Sequence, residues 1–148
     1  MTATIEDIYQ QAMDHFWETF PPVWNAVRSH VRSIAQEQFG ITVEQFHVLR
    51  HIRRNVDSIS ALAALGRISR PAISQGVDAL VHKGLVTRQQ SNRDRRYVKL
   101  ELTTQGNALL DAVFASNREW MKTRLAALSS LELETINSGL TALKKALE

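Results

Sequence analysis

The sequence predicts a mainly α-helical fold carrying one small β-hairpin, on three observations. Residues 85–103 place two short stretches of strand character around a cationic turn, Ser91-Asn92-Arg93-Asp94-Arg95-Arg96. Residues 58–84 read as two short capped helices just before it, and apolar residues recur at helical spacing over most of the remaining chain.

At the N-terminus, Ile5, Ile8, Ala12 and Phe16 give residues 5–19 an apolar helical face. Phe20-Pro21-Pro22 follows, and a proline pair predicts a break, with a second helix starting near Pro22 and carrying Trp24, Val27, Val31 and Ile34. Thr42 and Gln45 have capping-box spacing for the next helix. A short helix over 59–65 is capped by Ser58 and closed by Gly66.

Ser69 is the N-cap of the following helix, Pro71 falls in its first turn, and Gly84 suits the left-handed position after its end. Ile73, Val77 and Leu80 turn inward, which leaves Pro71, Gln75, Asp78 and His82 opposite and Ser74 on the flank. Beyond it, Leu85–Gln90 is expected to pair with a strand in which Val98, Leu100 and Leu102 alternate with Tyr97, Lys99 and Glu101. Thr104–Leu128 reads as one long helix. Ser129 and Glu132 then open a last one, whose Leu133, Ile136, Leu140, Leu143 and Leu147 step by three and four.

Two short helices joined by a glycine-containing turn and followed by a hairpin make a winged helix-turn-helix. The outward face of the second helix is polar and slender enough for a major groove, where Gln, Ser and Arg side chains read base edges. Ser69, Arg70, Pro71, Ser74 and Gln75 are therefore the expected DNA-binding residues of the helix. Arg70 stands at its N-terminus, where a phosphate also meets the positive end of the helix dipole. In the wing, Arg96 shares the strand parity of Val98 and Leu100, so it is expected to turn inward, with Asp94 placed to brace it. Arg93 and Arg95 are then the arginines that reach outward into a minor groove.

Charge supports an anionic partner. Residues 42–103 hold eleven Lys and Arg against five Asp and Glu, a balance of +6 within a chain of net charge +3. The flanks are thus net acidic, and a basic middle between acidic flanks is the footprint of nucleic-acid binding.

The order helix–turn–helix, Leu85-Val86 after Gly84, an Asp94-Arg95-Arg96 wing and Leu100-x-Leu102-Thr103 resembles the MarR (multiple antibiotic resistance regulator) family. The resemblance covers nearly the whole chain. Two departures stand out: Ser60-Ala61-Leu62-Ala63 lacks the acidic residue often found before the Leu-Ala, and the wing opens with Ser91-Asn92-Arg93 in place of the more usual Asp-Pro. The resemblance implies a homodimer built by helices at both ends, with residues 1–41 and 104–148 as dimerisation segments around a DNA-binding domain at 42–103. It also implies a cytoplasmic regulator, a repressor in the expected case, that binds an inverted-repeat operator in double-stranded DNA and is relieved by a small aromatic or anionic effector. Phe16, Trp17, Trp24, His30 and Phe46 lie on the helices that would meet near such an effector, although core packing explains the same residues.

Other classes find less support. His47 and His51 are i, i+4 on one helix, a spacing that can hold a metal, but no acidic cluster accompanies them, and structural histidines are the better reading, so no metal or cofactor is expected. The chain contains no cysteine, and its longest apolar run is Ala61–Leu65, too short for a membrane span. No Gly-rich phosphate loop or Gly-x-Ser-x-Gly motif points to an enzyme. The alternative is a winged-helix protein-interaction module that does not bind DNA, which the basic wing disfavours.

Overall fold

The structure, a computed structural model, describes residues 3–90, 94 and 96–148. The elements run α1 (Ile5–Phe39), α2 (Val43–Arg53), α3 (Ile59–Gly66), α4 (Arg70–His82), β1 (Val86–Gln90), β2 (Val98–Leu102), α5 (Thr104–Leu125) and α6 (Ser130–Leu147). This is the mainly α winged helix-turn-helix that the sequence predicts. The chain divides into two compact units, Met1–Val113 and Phe114–Glu148.

The expected break at Pro21-Pro22 is absent, because α1 is one helix of 35 residues with both prolines inside it. The two missing N–H groups free only the carbonyls of Trp17 and Glu18, four residues earlier. Both of those residues are exposed, so water can take up the freed carbonyls. Firm ends help: Thr4 and Asp7 form a reciprocal capping box, and Gly40, at φ 62°, closes the helix in the left-handed conformation. Only Ile34 and Ala35 of α1 are buried.

The core of the first unit lies where the C-terminal end of α1 meets α2, α3, α4, the hairpin and the start of α5. Phe46, Leu49, Val77, Leu80, Leu100, Leu110 and Val113 are each at most 2% exposed. The expected caps hold these helices: Thr42 and Gln45 satisfy each other's backbone, Ser58 accepts from the Ala61 N–H, and Ser69 accepts from the Ala72 N–H.

Helix α3 does not close on Gly66 as expected. It runs through Gly66, and Arg67 takes the left-handed conformation at φ 50°. A Cβ at Gly66 would lie 3.2 Å from Ile68 Cδ1, the end of an exposed side chain that would have to give by a few tenths of an ångström. A non-glycine residue in that conformation carries about 1–2 kcal/mol of strain. Arg67→Gly is therefore expected to stabilise the fold by up to about 1 kcal/mol, after the extra chain entropy of glycine is subtracted. A rise in the urea midpoint would show it, and a fall would contradict it.

The hairpin is antiparallel, pairing Val86 with Leu102, Arg88 with Leu100 and Gln90 with Val98. Val86 and Leu100 are buried, so this face of the ladder is turned onto the helices. The base of the wing is tied to α5 by Thr103, whose hydroxyl donates to the Gly84 carbonyl (2.6 Å) and accepts from the Gly106 N–H (3.0 Å).

The second unit holds the rest of α5 and all of α6. Helix α5 ends at Leu125, three residues short of the expected Leu128, and Ser129 and Glu132 cap α6 as expected. No residue of this unit is buried. Within the α6 stripe Leu133 and Leu143 are half-buried, while Ile136, Leu140 and Leu147 are exposed.

Candidate nucleic-acid interface

Helix α4 presents the polar face its periodicity implies. Ile73, Val77 and Leu80 are buried, whereas Pro71, Gln75, Asp78 and His82 are exposed and Ser74 is half-buried. Ser69 caps the helix and Pro71 sits in its first turn. Arg70 is exposed at the N-terminus, and its guanidinium donates to the Ser60 hydroxyl, which ties the two helices of the motif together. A hydroxyl leaves the arginine charge unneutralised, so that charge remains available to a phosphate.

The wing is held from two sides. Just ahead of β2 the Tyr97 hydroxyl donates to Asp57 Oδ1 (3.1 Å), and on β2 the Leu100 N–H donates to the Asp57 carbonyl (2.7 Å). The hydrogen bond to the Asp57 carboxylate raises the Tyr97 pKa above its ordinary value. On β1, Arg88 forms an ion pair with Asp78 of α4 at 2.6 Å.

At the tip, Asp94 Oδ1 accepts from the Arg96 backbone N–H (2.9 Å), and the Asp94 carbonyl accepts from the Tyr97 N–H (3.0 Å). The expected side-chain brace between Asp94 and Arg96 is thus replaced by a main-chain one. Arg96 is exposed instead of turned inward, because it sits in the turn ahead of β2, where strand parity does not yet apply. Arg93 and Arg95 lie outside the described residues.

Not all of the +6 faces an outside partner. Arg53 is paired with Asp111 (2.6 Å), Arg88 with Asp78 and Lys99 with Glu101 (3.2 Å). Lys83 donates to the Gly40 carbonyl, which keeps its charge. Arg67 and Arg96 are exposed and form no ion pair among the described residues. The Lys99–Glu101 pair could have been read from sequence, as the two share a strand face. Asp57–Tyr97 and Arg88–Asp78 carried no local signal.

Among the described residues, neither of two surface cavities is lined by the five residues expected near an effector. Phe46 is 2% exposed and belongs to the core, and His30 is half-buried. Phe16 and Trp24 belong instead to an aromatic ladder along α1. Phe16 stacks on Phe20 (5.1 Å between ring centroids), Phe20 stacks on Trp24 (6.3 Å), and Trp17 meets Phe16 edge-on (5.4 Å). Trp17 is 70% exposed. A separate cavity of about 500 Å³ is lined by Gln38, Phe39, Lys83, Leu85, Gln105, Ala108 and Leu109, none of them among the five.

His47 and His51 sit in cationic surroundings on α2, and among the described residues no cluster of three metal-ligating side chains occurs. Both imidazoles titrate below the ordinary 6.5. Burial is the main cause in each case, followed for His47 by Arg50, His51 and Arg28 against Glu44, and for His51 by Arg50 and Arg54. A base whose pKa is lowered by folding binds more protons when unfolded, so its contribution is complete above pH 6.5 and is lost as the pH falls below it. His47→Gln combined with His51→Gln is expected to flatten the acid side of the stability curve, measured as melting temperature against pH. An unchanged slope below pH 6.5 would contradict it.

Comparison with known proteins accords with this geometry. The MarR family profile matches residues 39–96, which run from the end of α1 to the wing tip. A Bacillus subtilis protein described as the HTH-type transcriptional repressor MdtR is 27% identical over 100 residues, 67% of this chain and 64% of the repressor's own length. Among solved structures, the transcriptional regulator Tm0710 from Thermotoga maritima superposes with a TM-score of 0.79 at 22% identity, covering 90% of this chain and 94% of that one. MepR, described as a transcription regulator of the Staphylococcus aureus multidrug efflux pump MepA, gives 0.73 at 25% identity, covering 87% and 96%. A MepR variant bound to an oligodeoxyribonucleotide also shares the fold, with a TM-score of 0.70 at 24% identity over 90% and 98% of the two chains.

Proposed function

We propose that this chain is a winged helix-turn-helix transcriptional regulator of the MarR family, whose profile it matches over residues 39–96, and that it is one subunit of a homodimeric, cytoplasmic repressor of transcription. Regulation, not catalysis, is the business of the family. In this reading residues 42–103 read the operator, and the helices at 1–41 and 104–148 hold two copies together. The observation that carries it is the exposed polar face of α4 beside a basic hairpin, with Arg67, Arg70 and Arg96 exposed around it. Ser69, Arg70, Pro71, Ser74 and Gln75 enter a major groove, and Arg93 and Arg95 reach the neighbouring minor groove.

The dimer reading rests on apolar surface that one copy leaves uncovered. Ile5, Ile8, Met13, Trp17, Phe20 and Trp24 along α1 are all exposed, as are Leu131, Ile136, Leu140 and Leu147 of α6. So much exposed apolar surface marks an interaction site, and a twofold pairing of like surfaces covers it most simply. The effector reading is supported by a MepR structure bound to ethidium bromide, which shares the fold with a TM-score of 0.63 at 25% identity over 90% of this chain and 96% of that one. The aromatic ladder of α1 supplies stacking surfaces for a small aromatic or anionic molecule. By linkage, a ligand that releases DNA binds the DNA-free dimer more tightly by the same factor.

Mobility shift on the DNA flanking this protein's own gene, beside a shuffled duplex of equal length, tests the reading. Preferential retardation of the flanking DNA is expected, together with several-fold weaker binding and a shallower salt dependence when Arg93 and Arg95 are both replaced by alanine. Equal binding of the two duplexes would overturn it.

A further inference from the structure

We propose that Arg88 and Asp78 act as a positioning pair that fixes the angle between the recognition helix α4 and the wing, so that Arg88, for all its charge, is not a phosphate contact. The inference rests on the DNA-binding reading above. Between α4 and β1 the chain turns at Gly84, which holds a φ of 73°, and the backbone bonds near this turn lie at that pivot: the Leu85 N–H donates to the Leu80 carbonyl (3.0 Å), and the Thr103 N–H donates to the Leu85 carbonyl (3.1 Å), whereas Asp57 holds the β2 side to the loop before α3 and not to α4. Two elements joined at a pivot can still swing. A second attachment away from the pivot removes that freedom. Arg88 on β1 and Asp78 on α4 provide it, with the guanidinium 2.6 Å from the carboxylate.

The direction of Arg88 follows from the ladder. It has the strand parity of buried Val86, and its cross-strand partner is buried Leu100. Its side chain therefore leaves the sheet on the face turned to the helices, not on the outer face. Electrostatics gives Asp78 a reason to be held. It lies on the exposed side of α4 with Gln75 and His82, where an unpaired carboxylate would repel the phosphates of a bound duplex. Pairing with Arg88 neutralises that charge and keeps the carboxylate toward the wing.

Exposed ion pairs contribute little to global stability, so melting temperature is the wrong readout. The pair should show instead in how well the protein distinguishes DNA sequences, because base contacts depend on the docking angle while non-specific affinity depends mainly on charge. The test measures affinity for the flanking DNA and for the shuffled duplex across a salt series, with D78N, R88Q and R88K. Asp78→Asn removes a negative charge, and by charge alone would tighten binding to both duplexes alike. The positioning pair instead predicts that D78N and R88Q each lower the preference for the flanking DNA about fivefold, the scale of coupling between contacting residues. It also predicts that R88Q leaves the salt slope unchanged and that R88K retains the preference.

If R88Q lowers the salt slope by about one and leaves the preference intact, Arg88 is a phosphate contact and the proposal fails. Unchanged preference in D78N also overturns it. Failure of the unmutated protein to distinguish the two duplexes would overturn the parent reading and this proposal together.

Discussion

Replacing Gly106 by alanine is expected to destabilise the winged unit by about 3 kcal/mol, the upper end of overpacking costs. A Cβ at this position would stand 2.2 Å from the Leu85 carbonyl oxygen and 3.2 Å from its carbon, both backbone atoms that cannot rotate aside. The same carbonyl accepts from the Thr103 N–H (3.1 Å), and Thr103 in turn caps α5 through the Gly106 N–H. Opening this contact therefore loosens the start of α5 and the root of the wing at once. Helix propensity alone gives the opposite sign, since alanine is favoured over glycine in a helix by about 1 kcal/mol. A fall in the urea midpoint of Gly106→Ala measured by circular dichroism would support the close-approach account, and an unchanged or raised midpoint would contradict it.

The second large effect concerns assembly. Ile136→Glu together with Leu140→Glu places two charges on the exposed stripe of α6, where the single chain buries nothing. Helix α6 keeps its Ser129–Glu132 capping box, so its helical content is expected to persist. If two copies meet through this stripe, the variant sediments as a monomer, and its affinity for the flanking DNA falls by about 10²–10⁴, the usual loss when one of two linked binding events is removed. A variant that remains dimeric, or a monomer that binds as tightly as the unmutated protein, would contradict the dimer account.

Much of this architecture was legible because its signals are local. Ser58, Ser69, Thr42 and Ser129 are helix caps readable over three or four residues, and the alternation of Val98, Leu100 and Leu102 lies within one strand. The misread elements turn on context. Pro21-Pro22 is a breaker by local rule, yet α1 continues through it because the carbonyls it frees sit at exposed positions. Strand parity predicts an inward Arg96, but the strand begins two residues later, at Val98. The Arg88–Asp78 and Tyr97–Asp57 links join residues brought together only by the fold, and no spacing announces them.

For the candidate interface, composition correctly marked the middle of the chain as basic but could not separate charges that face outward from those spent internally. Three of the basic residues counted there, Arg53, Arg88 and Lys99, have acidic partners within the protein. Of the aromatic residues expected near an effector, Phe46 faces the core, Trp17 faces outward, and Phe16 and Trp24 share the aromatic ladder of α1.

The central claim, that two copies of this winged helix-turn-helix read one operator, is tested most directly by footprinting the protein on the DNA flanking its own gene. The account predicts two protected patches related by a dyad, on one face of the duplex, with centres about 10 base pairs apart or a small multiple of that. A single unpaired patch at saturating protein, or uniform protection without a dyad, would contradict it.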